Sequence, residues 1–134
     1  MLLIKTKLKE FPGKGIGLIA DEFLPKGTIW HIDENFFDKI YSNEFVKKNN
    51  LLDFFKTYAT YIKETDEYYL CSDNARFVNH SNNPNGFYDI NKKHCITICD
   101  IKIGEEITCD YANICDFNKE FGLDFENIEE KNEI

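Results

Sequence analysis

The sequence predicts a β-rich domain, mostly β or α+β, with one short helical insert. Three observations carry that reading. Short apolar runs with strand-like alternation recur along most of the chain. Clusters of Gly, Pro and Asn separate them, as turns should. One stretch, residues 42–63, changes to helical spacing instead.

The first predicted strand is Leu2 to Leu8, where Ile4, Thr6 and Leu8 alternate with Lys5, Lys7 and Lys9. Phe11-Pro12-Gly13-Lys14-Gly15 supplies a turn, and Ile16–Ala20 a second strand. Leu24-Pro25-Lys26-Gly27 turns the chain into a third strand, Thr28–Ile32. Ser42 is a helix cap, and Phe45, Leu52, Phe55, Tyr58 and Ile62 approximate a helical stripe that Asn49-Asn50 interrupts. Short strands resume at Tyr68–Cys71, around Phe87–Tyr88, at Cys95–Cys99 and at Glu106–Cys109. Asn91-Lys92-Lys93 and Lys102-Ile103-Gly104 are turns between them. Phe117, Phe121 and Phe125 form a weak helical stripe in a strongly acidic end.

A length of 134 residues is one ordinary domain, long enough to bury a core without staples. The net charge of -8 argues against a dedicated nucleic-acid binder, whose field should be positive. It leaves room for a basic peptide partner. The charge is uneven: residues 116–134 hold seven acids and two lysines, a net of -5. Arg76 is the only arginine beside 15 lysines. Codon bias is the plain explanation of that skew, yet Lys cannot replace Arg at a bidentate site. The five cysteines are scattered and form no C-x-x-C pair, so no zinc ribbon or redox motif is suggested. Cys95, Thr97 and Cys99 share one strand face and are expected to be buried core residues. The apolar start, Met1–Ile4, is too short for a signal peptide or a membrane span. The expected compartment is reducing and intracellular: cytoplasmic, or nuclear in a eukaryotic cell.

Three clusters carry chemistry. Lys14-Gly15-Ile16-Gly17 joins two strands; its glycines let backbone turn tightly and approach a ligand, although such a pair is commonly just a turn. Arg76-Phe77-Val78-Asn79-His80-Ser81-Asn82-Asn83-Pro84-Asn85 packs amides, an imidazole and a guanidinium around one Phe-Val pair. Amides both donate and accept, which suits an adenine or an amino-acid group. Gly104-Glu105-Glu106-Ile107-Thr108-Cys109-Asp110-Tyr111 leads from a turn into a strand ending on a phenol.

In this order the three motifs resemble those of the SET-domain protein-lysine methyltransferases. The resemblance runs from about residue 4 to Tyr111 and is closest to small stand-alone members. It implies a SET fold: several small β-sheets with a knot-like core, in which the segment near Tyr111 threads beneath a loop from the strand carrying Asn79 and His80. The implied domain is 1–115, with the insert at about 35–65; residues 116–134 form an acidic segment expected to help close the substrate channel.

The resemblance also implies the activity: methyl groups pass from S-adenosylmethionine to the side-chain amine of lysine in a protein, leaving S-adenosylhomocysteine. Lys14, Gly15, Ile16, Gly17 and Arg76 would hold the methionine part of the cofactor. Asn79 and His80 would anchor its adenosine and amino ends. Tyr111 matches the catalytic tyrosine. Tyr58, Tyr61, Cys109 and Phe117 are expected along the substrate channel, with Phe117 or Phe121 over the adenine. Cys109 stands where the family usually has Phe or Tyr, and its small side chain leaves room for di- or trimethylation. No zinc or other metal is expected, because Asn82 replaces a cysteine of the larger members and no C-x-C-x4-C cluster follows Tyr111. Expected partners are lysine-containing basic proteins, not nucleic acid or membrane, with the chain a monomer or homodimer. The alternative is a catalytically inactive SET-like protein-binding module. The acidic end is equally consistent with an ordinary solvated tail.

Overall fold

The computed structural model describes residues 1–34, 37–89 and 91–113. A hairpin opens the fold: β1 (Thr6–Phe11) pairs antiparallel with β2 (Gly15–Ala20), from Phe11↔Gly15 out to Thr6↔Ala20. Gly13 closes the turn at φ +80°, in the left-handed region that only glycine enters freely. That turn sets the register, so the strand lies later than Leu2–Leu8. Leu2 contributes only an isolated bridge to His31.

A three-stranded sheet follows in the order β3 (Ile29–Ile32), β9 (His94–Thr97), β8 (Gly86–Asp89), all neighbours antiparallel. Its strands and β2 enclose the main core of Leu18, Ala20, Leu24, Trp30, Cys95, Ile101, Ile107 and Cys109. Cys95 and Thr97 are buried as expected, but Cys99 is exposed. The strand ends at Thr97, so the alternation that pointed Cys99 inward stops before reaching it.

The insert is a unit of its own. β4 (Lys39–Ser42), β6 (Glu67–Leu70) and β5 (Thr60–Ile62) form an antiparallel sheet in that order. Between them run α1 (Asn43–Lys48) and α2 (Leu52–Tyr58). The Ser42 hydroxyl caps α1, accepting from the Phe45 N–H at 3.1 Å. Asn49 ends the helix, and Asn50 at φ 56° reverses the chain, a conformation asparagine tolerates. Helix was expected as far as residue 63. Ala59 is extended instead, and Thr60–Ile62 pairs with Glu67–Tyr69, which sets the Tyr61 ring against its cross-strand partner Tyr68. The insert core is aromatic: Phe55 meets Tyr41 and Tyr68 edge-on, around Val46.

The shortest sheet joins the second and third motifs. β7 (Asn79–His80) and β10 (Thr108–Cys109) run parallel, pairing Thr108↔Asn79 and Cys109↔His80. The Ser81 N–H continues the ladder to the Cys109 carbonyl at 3.0 Å. Asn85 locks the junction, its amide donating to the Glu106 carbonyl at 2.8 Å and accepting from the Thr108 N–H at 2.9 Å. One side chain thus satisfies backbone groups on both sides of buried Ile107.

Candidate active site

The β7–β10 pair brings together segments about thirty residues apart. Tyr111 follows β10 in a single 3-10 turn, Tyr111–Asn113. Its N–H donates to His80 Nδ1 at 3.1 Å, and the two rings meet edge-on with centroids 5.4 Å apart. Its hydroxyl donates to the Val78 carbonyl at 2.5 Å. The hydroxyl proton is therefore committed to protein, and what the oxygen still offers is lone pairs. His80 is fixed from its other side, its Nε2 lying 2.8 Å from Asn82 Oδ1.

The glycine turn joins the same place through Asn79 and Glu106. Asn79 Nδ2 donates to Glu106 Oε2 at 2.8 Å and to the Ile16 carbonyl at 3.3 Å. Glu106 Oε1 takes Lys14 Nζ at 3.2 Å. Gly17 lies beneath these groups: a Cβ there would fall 2.5 Å from Glu106 Oε2 and 2.9 Å from Asn79 Nδ2. Only a glycine lets the three motifs meet so closely. Gly15, at φ +78°, faces the opposite situation, with no atom within 4 Å of its Cβ position. The backbone there is open to a ligand.

Lys14, Gly15, Ile16, Gly17, Asn79, His80 and Tyr111 are thus one site. Arg76 is adjacent: its turn, Asn74–Phe77, packs against β2, and its guanidinium lies over the Phe77 ring at 5.2 Å. The channel residues divide. Tyr58, the last residue of α2, meets Phe77 edge-on at 5.3 Å and so reaches the second motif. Tyr61 stays within the insert, donating its hydroxyl to Asp66 at 2.6 Å and packing on Tyr68. Cys109 belongs to the core rather than to a channel wall. It is 1% exposed, and its thiol pairs with Cys95, which, with burial, drives the Cys95 thiol far above its ordinary pKa. A small apolar thiol on the inward face of β10 fills core space, so its position beside Asp110 does not give it solvent access. Phe117, Phe121 and the acidic segment 116–134 lie outside the described residues.

Glu106 was missed by sequence reasoning as a site residue. A charge beside a turn reads as solvated, yet its side chain is only 11% exposed. The available signal was its place one residue before Ile107 in the strand expected at Glu106–Cys109, of which the structure keeps Thr108–Cys109 as β10 and leaves Glu106 an isolated bridge to Ile19.

The model of the SET domain family matches residues 15–112. The chain belongs to the SET-domain family. Solved structures agree on the fold. An apo Polycomb Repressive Complex 2 from Chaetomium thermophilum with two substitutions in Ezh2 matches with a TM-score of 0.62 at 20% identity, covering 88% of this chain and 16% of that one. The same fungal complex in an autoinhibited conformation bound to S-adenosylmethionine matches with a TM-score of 0.59 at 19% identity, over 89% of this chain and 16% of that one. A Plasmodium falciparum candidate histone methyltransferase matches with a TM-score of 0.58 at 21% identity, over 82% of this chain and 95% of that one. This SET domain therefore spans about one-sixth of the Polycomb chains but nearly the whole of the Plasmodium one. No curated protein sequence matches it.

Proposed function

We propose that this SET domain transfers methyl groups from S-adenosylmethionine to lysine side-chain amines of a protein substrate. The observation that carries the reading is the convergence of Tyr111, His80, Asn79 and the Lys14–Gly17 turn through the parallel β7–β10 pair. The residues fit the cofactor: open backbone at Gly15 for its amino-acid part, and the Asn79 amide oxygen and the His80 main chain for its polar ends, since the Asn79 amide nitrogen and both His80 ring nitrogens are already bonded within the protein. S-adenosylmethionine supplies a methyl group on a positively charged sulfur.

The protein's contribution follows from its own groups. With its O–H donating to the Val78 carbonyl, the Tyr111 oxygen turns its lone pairs outward, the correct sign for a cationic methyl donor. The Val78 and His80 contacts fix that oxygen before any substrate arrives, so no reorganisation is needed during reaction. An incoming lysine must be neutral, and a free lysine has a pKa of about 10.4. Burial beside aromatic groups such as Tyr58 and Phe77 would lower it. Alignment of nitrogen, methyl and sulfur then supplies most of the acceleration, for which intramolecular reactions show ~7–11 kcal/mol. The acids of residues 116–134 would draw basic proteins towards the domain, an effect that salt weakens.

The test is methyl transfer from labelled S-adenosylmethionine to a host lysate, with the acceptor lysines mapped by mass spectrometry. The reading predicts label on lysine side chains of basic proteins. Cofactor binding by calorimetry without transfer to any protein would favour the binding-module reading instead.

A further inference from the structure

On the side of the molecule where the insert joins the main sheet, a buried polar cluster remains that the methyl-transfer site does not use. His31 on β3, Asp38 before β4 and Cys71 after β6 converge there. Their ligand atoms all lie within 4.8 Å of one another. His31 Nε2 and Cys71 Sγ are 3.8 Å apart. Bond lengths of about 2.05 and 2.3 Å at a tetrahedral angle place an N and an S ligand of zinc about 3.5 Å apart. His31 and Asp38 are 4% and 3% exposed, and Cys71 is partly buried.

The surroundings are those of a cation site. The Asp38 carboxylate is held by the Tyr69 hydroxyl at 2.5 Å, the Ser72 N–H at 3.1 Å and the Glu34 N–H at 3.3 Å. Its Oδ2 also lies 3.7 Å from the Met1 amino nitrogen, which is 2.9 Å from His31 Nε2. Positive charge is thus already accommodated between the imidazole and the carboxylate. The other imidazole nitrogen, His31 Nδ1, is buried without a hydrogen-bond partner, 3.9 Å from Asp33 Oδ1. Asp33 is itself oriented by the Tyr88 hydroxyl. A metal-ligating histidine characteristically donates its second N–H to such a carboxylate. A small rotation of the ring would make that bond while turning Nε2 to the metal.

We infer that His31, Asp38 and Cys71 form a binding site for a divalent transition metal of the zinc class. Mixed imidazole, thiolate and carboxylate donors favour such an ion over calcium or magnesium. Binding forms the sulfur–metal bond at the expense of the Cys71 S–H proton, which leaves to solvent; nothing is oxidised or reduced. The fourth position falls to water. The ion would staple the insert sheet to the main sheet. It would also brace the chain just before Asp73, which caps the Arg76 turn and accepts from the Leu2 N–H. This site differs from the post-domain cysteine cluster that the sequence lacks.

Cobalt titration of the reduced, chelator-stripped chain tests the site without any methyl transfer. The wild type should take up one equivalent of Co²⁺ with a thiolate-to-cobalt absorption band, and Zn²⁺ should displace it. Cys71→Ser should lose the band, whereas Cys99→Ser, at an exposed cysteine remote from the cluster, should keep it. Asp33→Asn, which retains an acceptor for Tyr88, should keep the native circular dichroism and weaken binding by about 10- to 100-fold. A wild-type chain that binds no cobalt, a band that survives Cys71→Ser, or unchanged affinity in folded Asp33→Asn overturns the inference.

Discussion

The body and the insert of this SET domain are stabilised by different means. The body core is mostly aliphatic, and its strands meet through contacts between residues far apart in sequence, such as Leu24 with Ile101 and Asn79 with Thr108. The insert core is aromatic and local: Tyr41, Tyr61 and Tyr68 pack with Phe55 and Val46 within one stretch of chain. The body positions polar backbone to tight tolerance, as the Asn85 amide and the space above Gly17 show. Exposed apolar side chains do not distinguish the two: Ile40, Phe45 and Phe54 are exposed in the insert, and Phe23, Ile98 and Ile103 in the body. Catalytic geometry needs the first kind of construction. The second kind tolerates hydrophobic exchange, provided volume and patterning are kept.

That contrast can be broken from either side. The largest loss of stability is expected from Phe55→Ala, which removes a ring 3% exposed at the centre of the insert. Truncation of a buried Phe costs about 3–5 kcal/mol. Hydrogen exchange should rise in residues 39–70 and stay low in the strands around Trp30. Asn85→Ala should cost about 2–3 kcal/mol, because the Glu106 carbonyl and the Thr108 N–H lose their buried partner. Its exchange pattern should be the reverse, and S-adenosylmethionine binding by calorimetry should fall with it.

Asp66 gives the smallest effect and a pH signature. The Tyr61 hydroxyl and then the Asn43 amide hold its carboxyl below the ordinary carboxylate range. A depressed carboxylate pKa stabilises the fold above the unfolded value, and that contribution disappears as pH falls through the folded one. Asp66 sits at φ 52°, which asparagine also accepts, so Asp66→Asn leaves the turn intact. The variant should show a shallower fall in Tm from about pH 4 downward than the wild type, by thermal scans across that range.

Much of the site was legible in the sequence because turn chemistry is local. Gly13, the Pro84-Asn85 pair and Gly104 fix turns wherever they occur, and the three motifs sit beside them. The SET fold followed from those motifs in order. What periodicity could not show was pairing. β7 and β10 are two residues each, too short for any alternation, yet they build the site. Thr60–Ile62 sits on the same apolar spacing as α2, and only its partner strand makes it β. Glu106 was not picked out as a site residue because its partners, Lys14 and Asn79, are 92 and 27 residues away. The His31, Asp38 and Cys71 cluster escaped for the same reason: no short spacing connects its members.

In the proposed reaction Tyr111 acts on the reacting methyl group and not on cofactor binding. Tyr111→Phe is the direct measurement, because it removes one oxygen and keeps the ring against His80. Calorimetry and labelled-methyl transfer should be performed on the same preparation of the variant. The variant should keep near wild-type affinity for S-adenosylmethionine with turnover reduced by at least about 10²–10³-fold, the usual loss for one preorganised electrostatic group. Full turnover in the folded variant would contradict it.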